Sequence, residues 1–461
     1  MRQIDRRTIR GGTVSSIRSL ALGLAVAMVV AASATTAIAQ GGDQAPEATD
    51  VGITADTIRI AVIADVDNPI RPGLFQGSFD AMAGFEKFIN SKAGGGGLAG
   101  RKVVVDQIDS KLSANETRNA IIKACGEDFA IVGTSALFVN NVDDMTGCVN
   151  KAGEALGIPD FPFVTTEPVH QCSAVSHSIN PPSLQCDTIN NPGDETYVVN
   201  MGPTLYYGKK FKDLHGVWVY PSDLKSAKDA QVPVFTAQQI KGHIRLDQQF
   251  DVSNVAPQSV YTPVAQAIKS HNSTYARSGL ASDGNVALRK EAKLQGVTSV
   301  KVWDCGLQCY SKEFLAQGGA DVEDFYVWIG FLPFIGKSSE VKQNKMLETF
   351  VKYTGKSKTN GFGLQVWASA LYFRDVVNAV VGKDGVNGLT RKAVIAAAND
   401  VNGFDAEGML APTDVGSRTL SDCFVLMQVK NGEFKRVFPK KKGTFSCNEK
   451  NRATVKLDLI H

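Results

Sequence analysis

Histidine is scarce: there are six in 461 residues, scattered along the chain, the last at position 461. So few imidazoles leave little choice of general base. The sequence has no H-E-x-x-H, no G-x-S-x-G elbow and no H-x-E with a later P-C-x-x-C, so the common zinc and serine hydrolase signatures are missing. Gly95–Gly100 matches the letters of a dinucleotide fingerprint but follows a helical pattern and precedes a strand, the reverse of what pyrophosphate binding needs. Gly336-Lys337-Ser338 fails as a phosphate loop, because Phe331 stands where a glycine is required. Carboxylates are plentiful, so a paired-carboxylate hydrolase stays open as an alternative. No repeat of 20–50 residues is visible, which excludes a solenoid. The expectation is that the chain is not an enzyme and holds neither cofactor nor metal.

Long apolar runs are also missing. The longest, Leu20–Ala32, falls short of the roughly twenty residues of a membrane span. It follows a basic head (Arg2, Arg6, Arg7, Arg10, Arg18) and precedes Ala37-Ile38-Ala39, the small-x-small pattern of a cleavage site. Residues 1–39 therefore read as a secretory signal peptide, followed by a leader at 40–52. Arg6-Arg7 lacks the residues that would make a twin-arginine signal convincing, and no cysteine follows the cleavage site to carry a lipid. Export to the periplasm or another extracytoplasmic space is expected. The signal carries five Arg and one Asp, so without it the chain goes from net +3 to net −1. That balance gives no nucleic-acid surface, and the one dense basic run, Lys440-Lys441-Lys442, reads as solvated tail.

What is present fits an exported globular protein. The eight cysteines (Cys125, Cys148, Cys172, Cys186, Cys305, Cys309, Cys423, Cys447) are even in number, as a disulfide framework requires. Roughly a hundred pairings are formally possible. Nearest neighbours in sequence, 125–148, 172–186, 305–309 and 423–447, are the economical expectation. A zinc site at His170, Cys172, His177 and Cys186 is the weaker alternative, since no second close pair has finger spacing. About 420 residues are too many for one ordinary core, so two domains are expected.

Short β-branched runs alternate with amphipathic helices. Strands are read at 58–63, 102–106, 129–133, 163–165, 217–220, 275–279, 300–304 and 325–329. Helices are read from Phe79 to Ile89, from the capping box Ser113-x-x-Glu116 to Cys125, and at 286–295, 340–353, 363–381 and 389–398. Asn431-Gly432 joins a closing hairpin, 422–430 with 433–438. Alternation of this kind implies an α/β fold with parallel sheets covered by helices.

Several stretches together resemble one family. "ITADTIRIAVIADV", "GSFDAMAGFEKFINSKAGGGGLAGRKVVVDQID", "ANETRNAIIKAC" and "FAIVGTSA" resemble the N-terminal lobe of type I periplasmic solute-binding proteins, in particular the branched-chain amino acid receptors of ABC transporters. "TPVAQAIKSHNSTYARSGLASDGNVALRKEAKLQGV" and "NGFGLQVWASALYFRDVVNAV" continue the likeness, which covers nearly everything from 53 to 438 except a divergent insertion at 168–215.

The resemblance implies two doubly wound parallel-sheet lobes joined by three hinge crossovers. The N-lobe would be 53–168 and 332–415, the C-lobe 169–331 and 416–445, and the tail 446–461. It implies a monomeric receptor that captures a small polar ligand, an amino acid first among the candidates, and hands it to an ABC transporter permease. A ligand-sensing module on the same fold is the alternative. Aligned with the family's carboxylate-binding positions are Thr134, Ser135, Thr165 and Thr166. Asp304 is aligned with its ammonium-binding carboxylate, and Tyr220, Phe331 and Phe75 with aromatic walls. Arg71 would suit an acidic ligand but reads as a solvated arginine.

Overall fold

The computed structural model describes residues 44–191 and 193–459. The expected signal peptide lies outside the described residues. Residues 45–50 of the expected leader are docked: Arg101 donates to the Glu47 carbonyl, Asn387 to that of Ala45, and Asp50 accepts from the backbone of Arg391 and Lys151.

Two sheets organise the chain. The first is parallel, with order β2-β1-β3-β4: β1 (Thr57–Ala64), β2 (Lys102–Asp109), β3 (Ala130–Val132) and β4 (Asp160–Phe161). The second includes β6 (His215–Pro221), β7 (Arg245–Val252), β8 (Tyr275–Ser278), β9 (Val302–Cys305), β10 (Tyr326–Ile329), β11 (Cys423–Lys430) and β12 (Glu433–Phe438), in the order β12-β11-β10-β9-β8-β6-β7. Its core is parallel, and the closing hairpin adds β11 and β12 antiparallel, with β13 (Ser446–Cys447) pairing with the start of β11. A separate ribbon pairs β5 (Glu195–Asn200) with β14 (Arg452–Leu457). Residues 446–457, expected as part of a tail, thus contribute two paired strands.

The helices of the first half are α1 (Gln76–Ile89), α2 (Ala114–Glu127), the single turns α3 (Asp143–Thr146) and α4 (Pro168–Gln171), α5 (Gly202–Lys210) and α6 (Lys225–Ile240). Those of the second are α7 (Thr262–Ser270), α8 (Ser282–Leu294), α9 (Lys312–Gly318), α10 (Lys345–Thr354), α11 (Gly361–Asp384) and α12 (Arg391–Ala398). Although α10 and α11 follow the second sheet's parallel strands in sequence, both pack on α1, and α11 also packs on β3 and β4. Phe85 and Phe88 of α1, Phe350 of α10 and Trp367 of α11 meet edge-on or tilted at ring-centroid distances of 5.4–5.6 Å. Burying each such ring is worth about 2–3 kcal/mol. Helix α11 is apolar nearly all round and correspondingly buried, with Asn360 capping Gly363. No helix among the described residues is long and apolar enough to cross a membrane.

One expected strand is displaced. The sequence pattern favours 163–165, but the ladder runs at Asp160–Phe161. Pro162 has no N–H to continue it, and Phe163 instead donates to the Thr134 carbonyl. Helices α5, α6, α7 and α9 add to those read from the pattern. All eight cysteines pair, as 125–148, 172–186, 305–309 and 423–447. The imagined zinc set is therefore spent, because Cys172 and Cys186 bond each other and His170 bonds Asp160.

Among the described residues the chain passes between the sheets three times: after β4, after β10 and after α12. Two of these passages pair with each other, Phe331 bridging Leu410 while Ala411 donates to the Gly330 carbonyl. The third is tied in by Asn200, whose amide donates to the carbonyls of Ser421 and Cys423.

Candidate functional site

In each sheet the strand order reverses direction between two parallel neighbours, β1 and β3 in the first, β6 and β8 in the second. Loops diverge from the carboxyl ends of strands at such a switch point and leave a crevice there. The two crevices share one cleft of about 650 Å³. Leu137, after β3, lines it from the first sheet; Pro221, the last residue of β6, and Gly279, after β8, line it from the second.

Its walls are largely apolar, with Ile70, Leu74, Leu112, Leu137, Leu224, Val255 and Phe362 among them. Ile70 and Val255 are exposed at 43% and 59%, so the cleft carries apolar surface open to solvent. The charged lining residues are Arg71, Asp283 and Glu313. Arg71, on the loop before α1, reaches Asp283 in the first turn of α8 with Nη1 to Oδ1 at 3.2 Å. That ion pair joins the first-sheet side of the cleft to the second. Asn68 holds the Arg71 loop by accepting from the Arg71 N–H and donating to its carbonyl. Helices α6 and α8 begin at the cleft without a side-chain cap, so their positive ends favour an anion there.

Asp65, at the end of β1, organises the first-sheet wall. Its carboxyl accepts from Ser110 Oγ and from the backbone N–H groups of Leu112 and Leu137, two lining residues. Burial raises its pKa, and these donors offset part of that rise.

None of the eight positions carried over from the resemblance is in the lining. Thr134 donates to Asp160, whose other oxygen meets His170 Nε2 at 2.7 Å, all three buried. Ser135 donates to the Gly133 carbonyl and pairs with Ser78 Oγ at 2.9 Å. Thr166 donates to the Leu137 carbonyl, and the Thr165 carbonyl accepts from Gln171. Phe75 packs edge-on against Phe362, which does line the cleft, and Tyr220 packs on Phe235. Phe331 is fully buried in the passage after β10, against Tyr310 and Phe334.

Asp304 departs furthest from expectation. It is fully buried and accepts from Tyr207 Oη (2.9 Å), Tyr275 Oη (2.8 Å) and Arg277 Nη1 (2.5 Å). Burial, and next the Asp304 charge, push both phenols well above their usual pKa, so they remain donors. Asp304 is thus held by core side chains, away from the residues that line the cleft.

Sequence reasoning gave Arg71 too little weight and missed Asp283. The available signal was Ala281-Ser282-Asp283, a small-polar-acidic opening of an amphipathic helix after a strand.

Residues 238–433 match the sequence profile of the family described as periplasmic binding protein. No curated protein is significantly similar to the chain. Among solved structures, a leucine-binding protein from Thermotoga maritima has 14% identity over 86% of this chain and 99% of its own, with a TM-score of 0.60. An ABC transporter substrate-binding protein from Desulfitobacterium hafniense, in complex with Leu, has 13% identity over 83% and 100%, with a TM-score of 0.57. A fatty acid ABC transporter substrate-binding protein from Thermomonospora curvata has 14% identity over 84% and 92%, with a TM-score of 0.63. The chain has the type I periplasmic-binding-protein fold, and its second half carries the sequence pattern of the periplasmic binding protein family.

Proposed function

We propose that this chain is an extracytoplasmic solute receptor that captures an amino acid with an apolar side chain and passes it to an ABC transporter. The carrying observation is the Arg71–Asp283 pair across the cleft. A zwitterion can insert between them, its carboxylate meeting Arg71 and its ammonium meeting Asp283, so that each charge leaving water gains a partner. Such a ligand bridges the two sides and favours the closed arrangement, with the two lobes turning about the paired passages. The apolar walls suit an aliphatic or aromatic side chain. Of the neighbours named above, one is a leucine-binding protein and another is in complex with Leu. The walls equally favour a second reading, an aliphatic carboxylate without an ammonium, the class named for the Thermomonospora protein.

Calorimetry with leucine, 4-methylpentanoate and 3-methylbutylamine separates the two. These share the isobutyl group and differ in which charge is present. The zwitterion reading expects leucine to bind at least about a hundredfold more tightly than either, since stranding a buried charge costs about 3 kcal/mol or more. Asp283→Asn should weaken leucine and strengthen 4-methylpentanoate, while Arg71→Gln should weaken both. Tighter binding of 4-methylpentanoate than of leucine overturns the zwitterion reading in favour of the carboxylate. Scattering at saturating ligand tests closure separately, through a smaller radius of gyration.

A further inference from the structure

A second concavity lies away from the interlobe cleft. It has a volume of about 850 Å³, between α5, the hairpin β11–β12 and the segment around β13. Tyr206, Phe424 and Phe438 supply its aromatic surface; Tyr206 and Phe438 lie 5.3 Å apart and Phe424 and Phe438 5.9 Å apart, centroid to centroid. Lys209, Lys210 and Lys450 line it. The turn bearing Lys440, Lys441 and Lys442 runs between two further lining residues, Phe438 and Ser446.

These six lysines are exposed, and none makes an ion pair among the described residues. No acidic side chain lines the groove. Lys210 Nζ stands 5.3–5.9 Å from the ring centroids of Tyr206, Phe211 and Tyr326 and donates to Tyr326 Oη, so rings rather than a carboxylate hold this ammonium. Three lysines on the lining and three on the adjoining turn thus gather around one apolar concavity that no acidic side chain lines.

We propose that this groove is a docking site for an acidic segment of a partner protein that presents an aromatic side chain between its carboxylates. The concave, aromatic floor fits a protruding ring, and the dispersed lysine rim fits carboxylates on either side of it. A flat anionic membrane would satisfy the rim and leave the floor empty.

The test uses a fluorescein-labelled peptide, Asp-Glu-Trp-Glu-Asp, with the folded chain, read by anisotropy and by carbodiimide cross-linking. The expected result is cross-links to Lys209, Lys210 or Lys450. Lys209→Glu with Lys450→Glu should weaken binding at least about tenfold, and replacing the peptide's Trp by Gly should weaken it about fivefold or more. Affinity should also fall steeply with salt, as it does for exposed charges. Both substitutions are on exposed side chains, so the variant should keep the melting temperature of the parent. Unchanged affinity in the charge-reversed chain, or cross-links confined to other lysines, overturns the proposal. Binding to phosphatidylglycerol vesicles without binding to the peptide also overturns it, in favour of a lipid surface.

Discussion

Each side of the cleft has a buried carboxylate at the end of a strand, and the two do different work. Asp65 ends β1 and takes its donors from Ser110, Leu112 and Leu137, so it shapes the loops that face the cleft. Asp304, on β9, takes its donors from Tyr207, Tyr275 and Arg277, and so ties α5 and two strands together inside the second sheet's core. Position at a strand end therefore does not make a carboxylate a ligand group. The origin of its donors does: loop amides for a wall, core side chains for a core.

The sharpest way to break this contrast is to remove Asp304. Asp304→Ala leaves Arg277 buried and unpaired, and should cost about 3–5 kcal/mol in urea unfolding. Replacing both members, Asp304→Leu with Arg277→Met, should recover part of that loss by removing the stranded charge, while the Tyr207 and Tyr275 hydroxyls still lack their acceptor. If Asp304→Ala instead folds normally and only loses ligand, the assignment of Asp304 to the core fails.

A smaller effect should appear with pH on the first-sheet side. His177 is buried beside Phe161, and burial, and next the charge of Arg418, lower its pKa to about 4. The unfolded chain takes up a proton near pH 6.5, while the folded chain resists it until about pH 4. Stability should therefore fall as pH drops through that window, by up to about 3 kcal/mol, and level off below it. His177→Asn should flatten that slope relative to the parent in denaturation curves at pH 7, 5.5 and 4. An unchanged slope would remove His177 as its source.

The smallest effect is the one that most sharpens the contrast. Arg71 and Asp283 are partly exposed, with side-chain exposures of 28% and 51%. Such pairs contribute less than about 1 kcal/mol to stability. Arg71→Gln should therefore leave the melting temperature of the ligand-free chain within about 2 °C of the parent while altering ligand affinity. A large melting shift without ligand would make the pair structural.

The sheets were legible because β-branched runs such as Ile58–Ile63 and Val217–Tyr220 are buried on both faces and leave a strong local signal. The capping box at Ser113 was legible for the same local reason, and Ser113 Oγ does accept from the Glu116 N–H. The site was far less legible. The strand-end position of Asp304 can be read in sequence, but Tyr207, 97 residues away, cannot be seen to reach it. The ladder at 160–161 depends on Pro162, whose missing donor outweighed the apolar pattern beyond it. Arg71 looked solvated because its partner, Asp283, is more than two hundred residues distant and meets it only once both crevices share one cleft.

The ribbon of β5 and β14 sets a timetable for the chain. Its strands pair from Arg452 opposite Asn200 to Leu457 opposite Glu195, roughly 250 residues apart. Strand β5 is made long before its partner and must wait with its hydrogen-bonding edge open. Contacts of such long range form slowly, and an open edge is a template for the wrong strand. A polypeptide ending before residue 452 keeps that edge permanently uncovered. Pairing of β14 thus covers an edge of β5 that would otherwise be open to other copies of the chain.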